Sequence, residues 1–575
     1  MNPDIACGPK TVQVRLTGRS LCRLIRIMQL RPYQATAVDA VFEAWTEHDS
    51  TLVVCPTGTG KTITFCEIIR RMQPQRAIVL AHRSELITQA VRKLWGFGIE
   101  ASIEMADQYA NEQAWERAPV VVSTVQTQNA GRNGKGRMSC FDPYDFGLVV
   151  ADEAHHYTAA SFRRVLDYYR KNPNLKILGV TATPDRADEE ALGQVFQSVA
   201  YDYEILDAIN DGWLVPVEQQ MVNIEGLDFS HVGTTRGDLN GADLAAVMEA
   251  EQNLQGVAGA SIEIIGNRQT LAFTVSVKQA ERLAEIFNRH RPGMADWVCG
   301  ETPKDKRFKI LQDFSQRKIQ VLCNVGVLTE GYDEAGVEVI VQARPTKSRC
   351  LYAQIIGRAL RPLGNLVDAW EEAEDRKIAI AESPKPAALI LDFVGNSGKH
   401  KLMTTADILG GKVSEAAVER AVERAKREGR PVDMARELEE AEAAIRREEE
   451  ERRQREMARR AKVVAKAQFS VHTVSPFDVF HLTPMRERGW HKDKVLSEKQ
   501  RGLLLKQGID PDGMPYAQAK QIIDHQFYRW KNNLCSIKQA ALLQKHGYVN
   551  AQNFTRDEAS RLISQLANNG WRRVA

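Results

Sequence analysis

The segment CPTGTGKT at positions 55–62 has the residue types and spacing best suited to chemistry. It follows an apolar run at 51–55 and precedes a stretch of helical periodicity at 63–72. Glycines let backbone N–H groups at a helix start point at a polyphosphate, while Lys61 adds a cation and Thr62 offers a hydroxyl to Mg²⁺. The pattern predicts a P-loop rather than a fortuitous glycine turn, although Cys55 stands where the general pattern has glycine. The expected nucleotide contacts in this loop are Thr57, Gly58, Thr59, Gly60, Lys61 and Thr62.

Two adjacent carboxylates end another apolar run, LVVADEAH at 148–155. Because ligands bind beyond the carboxyl ends of parallel strands, Asp152 and Glu153 are expected to face the P-loop. Asp152 would hold Mg²⁺ through water, and Glu153 would orient and deprotonate an attacking water. Acids at strand ends are often only helix caps, but this pair lies on a strand of the same series as the P-loop. The position therefore favours a catalytic role.

The stretch QIIGRALR at 354–361 places Arg358 and Arg361 three residues apart, on one face of a predicted helix. The planar, permanently charged arginine fork suits a developing phosphoryl charge, so these side chains are expected to complete the site from across a domain cleft. An ordinary surface helix with two solvated arginines is the alternative.

These residues need strands and helices to position them, and the apolar pattern predicts such elements. Runs at 51–55, 77–81, 120–123, 148–152 and 178–183 alternate with amphipathic stretches, and the pattern restarts at 270–276, 321–328, 337–341 and 388–394. Continuous rather than alternating apolar character indicates strands covered on both faces, as in a parallel sheet. Two consecutive series predict an α/β protein with two tandem parallel-sheet domains.

A charged segment follows, with 14 basic and 14 acidic residues in positions 415–462. Apart from a thin stripe of Val418, Val422, Leu438 and Ile445, it is polar on every face, which predicts exposed helices with ion pairs between residues four apart. A coiled-coil dimer arm is the sharper alternative.

The last hundred residues contain an internal repeat. The pattern SEKQ at 497–500, followed by LL, Lys506 and Gly508, returns as SIKQ at 536–539, followed by LL, Lys545 and Gly547. Each copy predicts a capped helix, a glycine stop and a second helix, so a small all-α region with two helical hairpins is expected. The predicted boundaries are 1–27 (extension), 28–215 and 216–410 (α/β domains), 411–468 (charged helical linker) and 469–575 (basic helical module).

The helical module is basic, with 16 Lys plus Arg against 9 Asp plus Glu in positions 469–575, a net charge of +7. Aromatic residues are interleaved with the bases, and the combination suits phosphates and unpaired bases. An accessory nucleic-acid module is therefore expected; aromatics that only build the core of this module, and a protein-binding role, are alternatives. The aromatic residues concerned are Trp490, Tyr516, Phe527, Tyr528, Trp530 and Trp571.

Composition excludes several classes of protein. The net charge of the 575 residues is only +3, and no window approaches the roughly 20 apolar residues that span a bilayer. Nine cysteines occur without a CxxC pair, which argues against zinc and disulfides and predicts a cytoplasmic location. Because the coherent pattern begins at Met28, residues 1–27 are suspected of not being translated.

Taken in order, these segments resemble a superfamily 2 helicase of the DEAH kind over residues 28–400. Within that superfamily the chain is similar to bacterial RadD-type DNA repair helicases and to the motor of type III restriction subunits, and NVGVLT at 324–329 and ARPT at 343–346 suggest the RadD type. It lacks the cysteine-rich tail of that type and has no clear nuclease signature. The matching segments are RPYQ (31–34), the P-loop, AHR (81–83), STVQ (123–126), DEAH (152–155), TAT (181–183), FT (273–274), TEGYD (329–333) and QIIGRALR (354–361).

The resemblance implies that both sheet domains are RecA-like and that each segment has a role. Gln34 would read adenine with support from Arg31 and Tyr33, Arg361 would be the arginine finger, and Arg358 would contact the γ-phosphate. The residues implied as catalytic together are Lys61, Asp152, Glu153, Gln354, Arg358 and Arg361. Those implied near the ribose and nucleotide cleft are Gly331 and Asp333; for coupling, His155, Thr181 and Thr183; and for nucleic-acid contact, Arg83, Ser123, Thr124, Gln126, Thr274 and Thr329.

The function implied is an ATP- and Mg²⁺-dependent helicase that moves along or unwinds nucleic acid, with DNA expected over RNA, in repair, recombination or the replication of phage or mobile elements. Thr62 and Asp152 would hold the metal. A double-strand translocase or restriction-type motor, an RNA helicase and a weakly hydrolysing ATP-switched clamp remain open as alternatives.

Overall fold

The computed structural model describes residues 30–575, except positions 83, 107, 111–116, 132–135, 158–159, 183–191, 236, 397–399, 412, 429, 465–475, 481, 492–493, 570 and 572–575. The suspected extension at 1–27 lies outside the described residues. The chain divides into two compact units. One comprises the described parts of Met1–Val53 and Gly60–Val180, and the other comprises Val54–Thr59 and Thr181–Ala575.

Seven strands form the first sheet: β1 Ser50–Val54, β2 Arg76–Ala81, β3 Ala101–Glu104, β4 Val120–Thr124, β5 Phe146–Asp152, β6 Lys176–Thr181 and β7 Ser198–Asp202. Their order is β3-β4-β2-β5-β6-β1-β7, and the pairs β3–β4, β4–β2, β2–β5 and β5–β6 are parallel. Strands β1, β4 and β5 are buried over their whole length, which is why their sequences are continuously apolar.

The helices that accompany this sheet are α1 Pro32–Ala44, α2 Lys61–Met72, α3 Ser84–Gly96, α4 Val125–Asn129 and α5 Ala160–Tyr169. Helix α1 begins with proline in its first turn, where the missing N–H group costs nothing. Helix α2 buries Phe65, Ile68 and Ile69, so its apolar stripe fixes the helix that starts at the P-loop.

The second sheet contains β8 Val217–Asp228, β11 Thr270–Thr274, β12 Ala295–Val298, β13 Val321–Asn324, β14 Val339–Ala343, β15 Ala388–Asn396 and β16 Val432–Asp433, while β9 Thr234–Thr235 and β10 Asp238–Leu239 pair separately. Its order is β12-β13-β11-β14-β15-β8-β16. Every pair is parallel except β16 with β8, which is antiparallel.

Eight helices among the described residues accompany the second sheet: α6 Ile205–Asn210, α7 Gly241–Met248, α8 Glu251–Ile265, α9 Val277–His290, α10 Lys304–Ser315, α11 Arg349–Ile356, α12 Ala373–Ala381 and α13 Thr405–Leu409. Phe229, Leu283, Phe287 and Leu391 are among the fully buried residues of the core between helices and strands. The predicted α/β fold with two parallel-sheet domains is confirmed.

The charged segment forms helices α14 Glu415–Glu428 and α15 Met434–Val464, but it is less exposed than its composition predicts. The two helices pack on each other, and alanines that the apolar stripe did not include are buried on both, as are Val418 and Leu438. Arg420 pairs with Glu448 at 2.6 Å across this contact. Within the stripe Val418 and Leu438 are buried, whereas Val422 and Ile445 are half-buried, and the dimer arm stays an alternative. The strand between the helices, β16, joins the second sheet.

The C-terminal region consists of α16 Pro476–Phe480, α17 Glu498–Lys506, α18 Tyr516–Lys531, α19 Ile537–Lys545 and α20 Arg556–Asn568. Ser497 and Ser536 each form a capping box with the glutamine three residues later. Gly508 and Gly547 have φ of 80° and 83°, the left-handed conformation that ends α17 and α19. The predicted pair of helical hairpins is present.

Short 3₁₀ helices lie at Arg137–Cys140, Pro143–Asp145, Ala154–Tyr157, Gly489–His491 and Ala551–Asn553. Within the described ranges, no helix is both long enough and apolar enough to cross a bilayer.

Candidate active site

The P-loop joins the end of β1 to the start of α2 through a turn that needs glycine. Gly58 and Gly60 have φ of 94° and 82°, which a residue with a side chain adopts only with strain. The Thr59 hydroxyl donates to the carbonyl of Pro56 at 2.8 Å and closes the turn. Helix α2 has no acidic residue in its first turn, so its N-terminal N–H groups and half-buried Thr62 suit an anion.

Lys61 and Glu153 form an ion pair in the first unit. The ammonium Nζ lies 3.0 Å from Glu153 Oε1, and both side chains are about 10% exposed. Glu153 follows the last residue of β5 with φ of 52°, a conformation that is uncommon for a residue with a side chain. Its main-chain N–H donates to Asp152 Oδ1 at 3.1 Å, and the Nδ1 atom of buried His155 lies 3.6 Å from Glu153 Oε2. The strand end therefore brings the predicted base next to the predicted phosphate-binding cation.

Gln34 lies beside the P-loop. A β-carbon placed on Gly60 would stand only 2.8 Å from Gln34 Nε2. The amide oxygen of Gln34 accepts the main-chain N–H of Arg31 at 3.0 Å, and Arg31 Nη1 lies 3.4 Å from the hydroxyl of Tyr33. The start of α1 thus holds the amide group predicted to read adenine.

Arg361 belongs to the second unit, as do residues 55–59 of the P-loop. A β-carbon placed on Gly58 would stand 3.2 Å from Arg361 Cγ, and one on Gly357 would stand 2.7 Å from Thr57 Cβ. Arg361 also pairs with Asp333. Glycine at 357 is therefore required for the close approach of the end of α11 to the P-loop, and this approach brings one predicted arginine to it.

Arg358 is bonded differently from Arg361. Its buried guanidinium donates to the carbonyl of Thr329, at 3.1 Å from Nε and 2.6 Å from Nη2, and to the carbonyl of Tyr332. Gln354, one turn earlier, donates to Glu330 Oε1 at 3.1 Å. Both side chains thus hold residues 329–332, which include Gly331 with φ of 72°.

Three of the residues predicted to contact nucleic acid, Ser123, Thr124 and Gln126, lie at the carboxyl end of β4, but two of them are buried. Ser123 donates to the carbonyl of Glu104 at 2.8 Å, and the Thr124 hydroxyl accepts the N–H of Thr127 at 3.0 Å as the N-cap of α4. Only Gln126 of these three has an exposed side chain. Their nucleic-acid contacts stay predictions.

The second-unit candidates are also buried. The Thr274 hydroxyl donates to the carbonyl of Asn324 at 2.9 Å, and that of Thr329 donates to Gly326 at 3.2 Å. Thr181, a predicted coupling residue, is fully buried at the end of β6. The remaining candidates, Arg83 and Thr183, lie outside the described residues.

Glu330 and Lys385 are two residues near this site to which sequence reasoning gave no role. Glu330 lies inside the segment TEGYD and is buried where it accepts from Gln354. The side chain of Lys385 is buried and bonded to main-chain carbonyls. The segment TEGYD could have pointed to the glutamate, whereas the lysine had no signal in the sequence.

Two families match the chain. The family described as "Type III restriction enzyme, res subunit" matches residues 27–186, and the "Helicase conserved C-terminal domain" matches residues 257–362. The two matches follow one another along the chain, as the two predicted domains do.

Curated relatives carry similar descriptions. IRC3 of Saccharomyces cerevisiae, named as an ATP-dependent helicase, is 31% identical over 350 residues, which is 58% of this chain and 49% of the relative. The irc3 protein of Schizosaccharomyces pombe, named as a mitochondrial ATP-dependent helicase, is 30% identical over 62% of this chain and 58% of its own. DNA 3'-5' helicase XPB of Mycobacterium tuberculosis is 26% identical over 58% of each chain. The chain thus spans about half to three fifths of these relatives.

The predicted resemblance to superfamily 2 and to type III restriction subunits is confirmed by these matches. The finer likeness to RadD-type proteins stays a prediction.

Proposed function

Because the chain belongs to the superfamily 2 helicases, with a restriction-enzyme-like motor, we propose that it is an ATP-dependent motor that moves along or unwinds DNA. The observation that carries the proposal is the buried Lys61–Glu153 pair, which joins the start of α2 to the end of β5. A cation for phosphates and a carboxylate for water are the two groups that hydrolysis of ATP requires.

The proposed chemistry begins when Lys61 leaves Glu153 and binds the β- and γ-phosphate oxygens, assisted by the N–H groups of the P-loop. Glu153, released from the ammonium, then accepts a proton from the water that attacks the γ-phosphorus. Arg361 stabilises charge that develops on the transferred phosphoryl group. Arg358 and Gln354 hold residues 329–332 by hydrogen bonds.

Residues for Mg²⁺ fit the same site. The hydroxyl of Thr62 and the carboxylate of Asp152 are oxygen donors of the kind that Mg²⁺ prefers, and Asp152 is buried at the strand end. Thr62 and Asp152 would hold the ion, which when bound supplies positive charge to the phosphates.

DNA is favoured over RNA because relatives such as XPB are named DNA helicases. Gln126, exposed at the carboxyl end of β4, is the described candidate best placed to reach a strand. The preference for DNA over RNA can be tested directly by measuring the rate of ATP hydrolysis with single-stranded DNA, duplex DNA, forked DNA and RNA. Stimulation by RNA alone would reject DNA as the substrate.

Lys61→Ala and Glu153→Gln test the hydrolytic site. Each is expected to lower DNA-stimulated kcat at least a hundredfold, because each removes one member of the acting pair. Asp39→Asn, which affects a surface ion pair with Arg71, is the matched control and should behave as the wild type. Wild-type turnover in either site variant would refute the assignment.

A restriction-type translocase is the second candidate, and the match of residues 27–186 to the type III restriction subunit favours it. Such a motor would hydrolyse ATP on duplex DNA and displace a third strand from a triplex without separating a fork. Strand separation of a fork at the rate of ATP use would instead favour the helicase. An ATP-switched clamp would show nucleotide-dependent DNA binding with negligible turnover.

A further inference from the structure

Lys385 lies between α12 and β15 and is among the largest fully buried side chains of the described residues. Its Nζ donates to the main-chain carbonyl of Ala335 at 2.8 Å and to that of Arg361 at 2.7 Å. A buried ammonium is costly unless its N–H groups are bonded, so this side chain requires both carbonyls where they are.

The two carbonyls belong to segments that matter for the proposed reaction. Ala335 ends the loop 329–335, and Arg361 is the arginine beside the P-loop. Arg358 and Arg361 hold that loop through their guanidinium groups, at two carbonyls and at Asp333 respectively. Lys385 differs because it bonds the main chain of Arg361, rather than its guanidinium, to the loop. It therefore restricts the position of the main chain from which the Arg361 side chain extends.

We propose that Lys385 is a positioning residue that fixes the main chain of Arg361 against the loop 329–335. It touches neither nucleotide nor water in this proposal and acts only through Arg361. The consequence for hydrolysis rests on the proposed function, whereas the effect on the loop does not.

A pH dependence follows from the surroundings of the ammonium. Burial lowers the pKa of Lys385 to about 7; the carboxylates of Glu338 and Glu334 oppose this, and Arg361 and Arg317 add to it. The group is charged below that pH and loses its proton above it. The neutral amine keeps N–H donors, but its bonds to the two carbonyls lose their charge assistance. Loop order and kcat are therefore expected to decline as pH rises through 7.

Lys385→Met tests the proposal, with Lys377→Met on the neighbouring helix α12 as the control, because Lys377 is exposed and only pairs with Glu374. In Lys385→Met, amide exchange of residues 329–336 and 358–362 should be at least tenfold faster, kcat for ATP at least tenfold lower, and KM within twofold of the wild type. Lys385→Arg should recover part of kcat and lack the decline above pH 7. The control should match the wild type throughout.

The outcomes separate the two proposals. Unchanged exchange in Lys385→Met overturns the positioning role whether or not the protein hydrolyses ATP. A wild type without ATP hydrolysis contradicts the proposed function, and the exchange result still decides the role of the lysine. Faster amide exchange with unchanged kcat would show that Lys385 orders the loop, and it would reject the inference that this ordering matters for ATP hydrolysis. If Lys385→Met does not fold, Lys385→Gln takes its place, and unchanged amide exchange of residues 329–336 and 358–362 in that variant overturns the proposal.

Discussion

Arg358 and Arg361 are three residues apart but have different environments, so their substitutions should differ in a measurable way. Arg358→Ala leaves the carbonyls of buried Thr329 and half-buried Tyr332 without these donors, which should cost about 1–3 kcal/mol of unfolding free energy. Arg361→Ala removes a partner of half-exposed Asp333 and should cost little. Both should lose ATP hydrolysis. Thermal midpoints beside kcat check this, and equal losses of stability would contradict it.

Asp392 provides a test of stability against pH. Burial raises its pKa to about 6 from an ordinary 3.8, although Tyr352 and Gln219 donate to the carboxylate. Because the folded state binds the extra proton between pH 4 and 6, stability falls as pH rises through that window, by at most about 3 kcal/mol. Asp392→Asn should therefore raise the thermal midpoint at pH 8 and not at pH 4.

The control for Asp392 is Asp49→Asn, an acid in a surface pair with Lys176. It should leave the pH dependence of the midpoint unchanged. An equal rise of the thermal midpoint for Asp392→Asn at both pH values would show that ionisation of the Asp392 carboxyl does not lower the stability of the folded protein.

At the scale of single residues, the sequence predicted only part of the site. Lys61 and Glu153 stand in segments whose spacing and strand context carry information, and they pair in the structure. Lys385 and Asp392 are isolated polar residues that belong to no recognisable sequence pattern, and their burial is a result of tertiary packing. Ser123 and Thr274 were predicted to contact nucleic acid because they lie in segments that match the family. Such a match does not reveal that each hydroxyl is buried and hydrogen-bonded within the protein.

Helix α18 presents an aromatic surface that its sequence left open to two interpretations. Phe527, Tyr528 and Trp530 are 54%, 58% and 39% exposed, whereas Trp490 is buried. Exposed Lys531 follows Phe527 by one turn, on the same side of the helix. The six aromatic residues thus include both a buried residue, Trp490, and exposed ones on α18.

The double substitution Phe527→Ala and Trp530→Ala is expected to weaken binding of single-stranded DNA at least tenfold, since stacking contributes about 1–3 kcal/mol per base. Titration of a labelled oligonucleotide measures it. Tyr144→Ala, which removes an exposed aromatic residue from the first unit, is the control. Unchanged affinity in the double variant would assign the surface to another partner.

Elements differed in how well the pattern predicted them. The buried strands β1, β4 and β5 were predicted from their apolar runs. Strands β3 (ASIE) and β12 (ADWV) mix polar and apolar residues because each lies at the edge of its sheet. The two-residue β16 is too short to give any pattern. In α14, alanine rather than larger apolar residues forms the buried face, so charge count alone overstated its exposure.

On the scale of the whole molecule, Arg488 connects the C-terminal region to Asp202 at the end of β7 and to Glu204, all within the second unit. Its guanidinium is buried, lies 3.0 Å from Glu204 Oε1 and 3.6 Å from Asp202 Oδ2, and stacks 4.9 Å from the ring of Trp490. Trp490 in turn packs against Gly193, where a β-carbon would stand 3.1 Å from its Cα. A buried charge cluster therefore attaches the basic module to the end of strand β7 and the residue that follows it by two.

Arg488→Ala should cost about 3 kcal/mol, because it leaves the buried Glu204 carboxylate without this partner. Faster amide exchange at residues 193–204 and 482–494, with a lower thermal midpoint, is the expected measurement. Arg486→Ala, two residues earlier and exposed, is the control. Unchanged exchange would mean that other contacts hold the region. Deletion of 469–575 removes this cluster too, so point substitutions on α18 test DNA binding more cleanly.

Strand β16 also bears on how the protein avoids self-association. Strand β8 is twelve residues long, and an open sheet edge of that length is a template for pairing with other chains. Val432 and Asp433 pair with Gln219 and Glu218 and close part of it, while the opposite edge, β12, has only four residues. A chain shortened to end before residue 415 would expose this part of the β8 edge and is expected to aggregate, which light scattering of the shortened and full-length proteins would measure.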